Sequence, residues 1–113
     1  MAGIKVLHWD DVVPSEVTET VIRRVAVGKN MLISRWELKA GSGGRPAHSH
    51  HNEQIDILIK GSVRVTLEGV EYTAEAGDFV ILPSGVVHGP IFAIEDSIGL
   101  SVFSPVREEY VPK

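Results

Sequence analysis

Three of the chain's five histidines fall in the run His48-Ser49-His50-His51, and His88 stands alone far along the chain. In an extended segment, residues two apart share a face. His48 and His50 therefore lie side by side, with Gln54 on the same face if the strand continues. His88 follows the turn Pro83-Ser84-Gly85. Three imidazoles and one amide oxygen converging from two remote segments form a ligand set for a divalent transition metal. Imidazole favours Zn, Cu, Fe or Ni, and an oxygen ligand also admits Mn. A neutral amide at Gln54 cancels none of the ion's charge, so the centre should polarise a bound oxygen strongly and prefer an anionic ligand. A metal that only tied strands together would sit in a closed tetrahedral site, whereas three or four protein ligands on an octahedral ion leave room for water or substrate.

The flanking sequence supplies the elements that must carry these side chains. Ala40 to Ala47 is rich in Gly and Pro and reads as the loop that delivers the first histidines, stiffened by Pro46. Arg45 in that loop is either solvent-exposed or a guard at an entrance. Glu53 to Ile59 reads as a strand with Gln54, Asp56 and Leu58 on the histidine side and Ile55, Ile57 and Ile59 on the other. Asp56 is the nearest carboxylate on the ligand face. It is a candidate general base or a group that orients a ligand, or else an aspartate bonded to a backbone amide at the mouth. Three isoleucines on an outward face are an unfavourable patch for a monomer, which predicts cover by a second sheet or by a homodimer partner.

Elsewhere the pattern is of short strands and turns. Glu19 to Val27 and Met31 to Lys39 read as strands joined at Gly28-Lys29-Asn30, with Leu32, Ser34, Trp36 and Leu38 sharing a face. Arg35, on the other face, could face the cavity or pair with Glu37; the pairing is preferred and Arg35 is left out of the site. Ile4, Val6 and Val12 could make an edge strand, with Trp9 covering the barrel or a partner, and His8 is a surface residue. Ser62 to Glu68 alternates, turns at Glu68-Gly69 and returns through Val70 to Ala74. Phe79 to Leu82, apolar on both faces, reads as a buried strand. Val86 to Ala93 places His88 and Phe92 on one face, and Ser97 to Phe103 is the last clear strand. About ten strands and no helix make an all-β sandwich or barrel.

Length and composition bound the rest. A chain of 113 residues suggests one domain, residues 1–113, with roughly two-thirds of its unfolded surface buried. A net charge of −4 and no basic cluster larger than Arg23-Arg24 argue against nucleic-acid binding. There is no cysteine, which removes disulfides and thiolate metal sites and is compatible with a cytoplasmic protein. No secretion signal is evident at the N-terminus and no apolar run is long enough to span a membrane.

Two motifs emerge in order: Gly41 or Gly43, His48, His50, Gln54, Gly61; then Gly77, Pro83, Gly85, His88. Together they resemble the paired motifs of the cupin family, a glycine, His-x-His, glutamate and glycine followed by a Gly/Pro/Gly/His segment. Gln54 stands where the glutamate is usual, and Phe92 where an asparagine often follows the last histidine. The resemblance implies a jelly roll, two antiparallel sheets around one cavity, with His48, His50, Gln54 and His88 on a metal, and a chain that dimerises through a sheet face.

Within that family, Gln54 together with the stretch Ser101 to Tyr110 is similar to the small pectin-degradation cupins, which convert 4,5-unsaturated monouronates into linear keto sugars. The resemblance assigns Phe103 and Arg107 to the pocket wall beside the metal and puts Ser101 where that group has an aspartate. A hydroxyl cannot accept a proton as a carboxylate does at neutral pH, so either Asp56 compensates or the substrate or reaction differs. Arg107 either grips a carboxylate through two parallel hydrogen bonds or pairs with Glu108, Glu109 or a partner chain. Three functions stand at this point: a metal-dependent isomerase or lyase acting on a small sugar-derived acid, an iron or copper dioxygenase, and a non-catalytic module that binds a small anion.

Overall fold

The computed structural model describes residues 4–43 and 46–112, so Arg45 lies outside them. Among the described residues the chain forms nine strands: β1 (Glu16–Val17), β2 (Val21–Val27), β3 (Leu32–Leu38), β4 (Glu53–Lys60), β5 (Ser62–Leu67), β6 (Val70–Glu75), β7 (Phe79–Leu82), β8 (His88–Ala93) and β9 (Ser97–Ser104). They build a six-stranded sheet in the order β1-β2-β3-β9-β4-β7 and a three-stranded sheet in the order β6-β5-β8. Every pairing is antiparallel, and the two sheets make a jelly roll.

Side-chain alternation sets which residues face between the sheets. In β3, Leu32, Ser34, Trp36 and Leu38 are buried and the residues between them are not. One core cluster joins Trp36, Leu38, Leu58, Val63, Ala74 and Ala93. A second joins Val25, Leu32 and Phe103 and is capped by Val106, Tyr110 and Val111 from the segment after β9. Gly99 faces Trp36 across the β3–β9 ladder, and a Cβ there would overlap the indole. The missing side chain makes room for the Trp36 ring, which lines the cavity.

Several sequence expectations are corrected. Residues 4–8 pair with no strand, Trp9–Asp11 is a single 3₁₀ turn, and the edge strand is Glu16–Val17. β7 is not buried on both faces: it is the outer strand of its sheet, and Phe79 and Ile81 are 65% and 58% exposed. His88 and Phe92 do not share a face. Val65 pairs with Ile91 and Leu67 with His88, so β8 carries one extra residue in the bulge at Gly89-Pro90. A bulge reverses the alternation beyond it, and Phe92 points outward while Ile91 and Ala93 point in.

Candidate metal centre

The two motif segments meet through their backbones. His48 and His88 form an isolated antiparallel bridge, each N–H donating to the other's carbonyl at 2.9 Å. Gly85 N–H donates to the His50 carbonyl at 2.9 Å, which clips the second turn onto the first loop. Gly43 bridges Phe92, and a Cβ at Gly43 would strike the Ile91 carbonyl, so the loop can lie this close to β8 only with glycine there.

These contacts gather the His48, His50 and His88 rings, whose centroids are 4.5 to 5.9 Å apart. One ring nitrogen from each lies within 4.8 Å of the other two. The Nδ1 atoms of His48, His50 and His88 sit 3.1, 3.1 and 3.0 Å from the carbonyls of Pro46, Asn52 and Val86. A carbonyl can only accept, so each Nδ1 bears the proton and each Nε2 keeps its lone pair for the centre.

Two features test whether a cation fits. The His88 Nε2 is buried with no hydrogen-bond partner among the described residues. The Gln54 Nε2 donates to Asp56 Oδ1 at 2.7 Å, which turns Gln54 Oε1 toward His50 Nε2 at 2.9 Å. Two acceptors then face each other with no proton between them. A proton on His50 is disfavoured, because burial first and Arg107 second lower its pKa; burial likewise lowers that of His88. A metal ion resolves both features, and three imidazole nitrogens with one amide oxygen suit it. His8 takes no part; it is exposed and sits 3.5 Å from Asp10.

The centre opens on a cavity of about 240 Å³ between the sheets, lined in part by His48, Gln54, Asp56, His88, Ser101, Phe103 and Arg107. Asp56 and Ser101 are cross-strand partners on β4 and β9. The Ser101 hydroxyl accepts the Trp36 indole N–H at 3.0 Å and is hydrogen-bonded to Asp56. Burial raises the Asp56 pKa, against the hydrogen bonds from Gln54 and Ser101 and the charges of His88 and Arg23. Phe103 is fully buried, with its ring edge-on to both His50 and Tyr110. Of the alternatives for Arg107 the ion pair is the one formed: its Nε pairs with Glu109 at 2.8 Å, while the side chain also lines the cavity, stacked over Tyr110 at 4.2 Å. Arg35 pairs with Glu37 at 3.2 Å, as its position implied.

Residues 34–100 match the model of the cupin domain. The chain belongs to the cupin family. Among known proteins this cupin is similar to the pectin degradation protein KdgF of Dickeya dadantii, 25% identical over 104 residues that cover 90% of this chain and 94% of that protein. It is 38% identical to the H2HPP isomerase of Bacillus subtilis over 69 residues, 59% of this chain but only 29% of that protein. Of solved structures, KdgF from Halomonas sp. superposes with a TM-score of 0.80 at 26% identity, covering 90% of this chain and 95% of that one. An RmlC-like cupin from Shewanella frigidimarina superposes at 0.85 over 96% of this chain and 97% of that one; at 21% identity it shows the fold alone.

Two residues of the cupin's site are not evident from its sequence. Arg23 enters the cavity from β2; an arginine between two inward valines, Val21 and Val25, was the available signal. Asn52 is 1% exposed. Its carbonyl holds His50, and its side chain donates to the Pro105 carbonyl at 2.6 Å, tying the metal loop to the segment between Phe103 and Arg107. Asn52→Leu keeps the branched outline of the side chain, removes the donor and strands that carbonyl. It should cost about 1–3 kcal/mol of folding stability in chemical denaturation and weaken metal binding in a titration.

Proposed function

We propose that this cupin is a metal-dependent enzyme that opens and tautomerises a small unsaturated sugar acid of the 4,5-unsaturated monouronate class. One observation carries the reading: three imidazole lone pairs and an amide oxygen converge on a cavity wall that also holds a carboxyl, a guanidinium and a flat aromatic ring. Relatives named for pectin degradation and for isomerisation support it.

A metal held by His48, His50, His88 and Gln54 would supply Lewis acidity toward a substrate oxygen. Arg107 binds the carboxylate and Phe103 backs the ring. Asp56 takes the proton of the anomeric hydroxyl as the ring C1–O bond breaks, and a proton returns to C4 as the resulting enol becomes a ketone. Atoms, protons and electrons balance, so no oxidant is needed. Burial, by raising the Asp56 pKa, brings the carboxyl closer to the range in which it can both accept and return a proton. The test is to incubate metal-loaded protein with unsaturated galacturonate or mannuronate and follow the enol-ether absorbance. Faster loss than with metal-free protein is expected; no acceleration over a protein-free control overturns the reading.

A second copy of this chain completes the proposal. The three-stranded sheet covers the inner face of the six-stranded one, which leaves Ile57, Ile59, Phe79 and Ile81 exposed on its outer face. Such a patch favours burial against a like surface. Phe79→Lys combined with Ile81→Lys should convert a dimer to a monomer in analytical ultracentrifugation; a wild-type protein that sediments as a monomer refutes the proposed pairing.

A further inference from the structure

Arg23 has the setting of a ligand-binding side chain. It points inward from β2, its side chain is 15% exposed, and it lines the cavity that holds the histidines. Its Nε pairs with Glu16 at 3.3 Å and its Nη1 donates to the fully buried Ser34 hydroxyl at 2.7 Å. Its Nη2 hydrogens have no partner among the described residues, and neither do the hydrogens on the two terminal nitrogens of Arg107. The guanidinium carbons of Arg23 and Arg107 lie 4.9 and 4.2 Å from the centroid of one ring, Tyr110. Two forks with unused donors thus flank a single aromatic wall.

We infer that Arg23 is a second guanidinium for the substrate's carboxylate, so that the cavity grips a small monoacid between Arg23 and Arg107. This rests on the reading of the cavity as an acid-binding site. A carboxylate suits the arrangement because each oxygen carries two lone pairs and can accept from separate forks. The location is also right. Arg23 and Arg107 line the same cavity as His48, Gln54, His88 and Asp56, so an acid between the two arginines shares that cavity with the ligand set and the proton-moving carboxyl. The competing role for Arg23 is to pin β1 to the sheet through Glu16. The two roles separate because Glu16→Gln removes the ion pair and leaves the guanidinium.

The experiment is calorimetric titration of metal-loaded protein with galacturonate and with its methyl ester. Arg23→Gln should weaken binding of the acid about tenfold, the loss of a charge-assisted hydrogen bond, and change binding of the ester by less than about twofold. Glu16→Gln, which takes a competing carboxylate off the same cavity wall, should weaken neither. Equal losses for acid and ester, or a Glu16→Gln variant that reproduces the Arg23→Gln loss, would make Arg23 a strut and overturn the inference. So would a wild type that binds the acid no better than the ester. Should Arg23→Gln fail to fold, Arg23→Lys keeps the charge and loses the fork, and an intermediate loss confined to the acid is expected. If the acid binds as described but the unsaturated form is not turned over, the proposed reaction fails and this inference stands.

Discussion

Replacing His88 with alanine should lower metal affinity by at least about a hundredfold, beyond the 10–100-fold typical of losing a residue that merely supports a ligand. The ring supplies a buried Nε2 that no group among the described residues satisfies, while the link to His48 runs through the backbone and survives the substitution. The variant should therefore fold and yet retain no metal after dialysis, by elemental analysis. Wild-type protein at a hundredfold excess over the dissociation constant should gain about 2.7 kcal/mol from metal, seen as a rise in melting temperature that His88→Ala lacks. Acid should mimic the substitution in part. The pKa values of His50 and His88 are held below 6.5, so both are neutral at pH 7 and metal affinity falls as pH drops through those lowered values. In the metal-free protein the unfolded chain takes up these protons first, near pH 6.5, so folding stability also declines below that pH. His88→Ala should flatten that decline. Undiminished metal content in the variant would remove His88 from the centre.

What could be read in advance was local. The faces of β3 and β4 follow from strict alternation, so Trp36, Gln54, Asp56 and Leu58 were placed correctly by counting. The pairing of His48 and His50 with His88 was legible because the two segments, with their glycines in place, together resemble the paired motifs of the cupin family. The errors sit where alternation is interrupted or where a neighbour decides. The extra residue at Gly89-Pro90 is invisible until β8 is laid against β5, and it alone sends Phe92 outward. β7 has the composition of a buried strand, but burial depends on what lies beyond it, and among the described residues no strand does. Arg23 and Asn52 escaped notice for the same reason: their partners, Ser34, Tyr110 and Pro105, are close only after folding.

Asp56→Asn should lower turnover by about 10² to 10⁴, the usual contribution of a positioned acid or base, while raising the melting temperature at pH 7. The two effects have one cause. Burial raises the Asp56 pKa above its ordinary value of 3.8, so the folded state favours the protonated form and loses stability as pH rises past that value. A neutral amide removes this loss, and its oxygen can still accept from Gln54, which keeps the amide of Gln54 turned toward His50. A stability gain with a loss of activity is the expected signature of a charge kept for function. The ladder offers a sharper version. Asp56 and Ser101 are direct cross-strand partners, so exchanging them moves the carboxyl sideways by about one strand spacing, ~4.8 Å, within the same layer of the barrel. Asp56→Ser alone should be nearly inactive; adding Ser101→Asp should restore at least about tenfold, with the Trp36 indole now donating to a carboxylate. Recovery would show that the layer needs a carboxyl on this wall and that either strand can present it. Full turnover by Asp56→Asn would instead assign the proton transfer to another group.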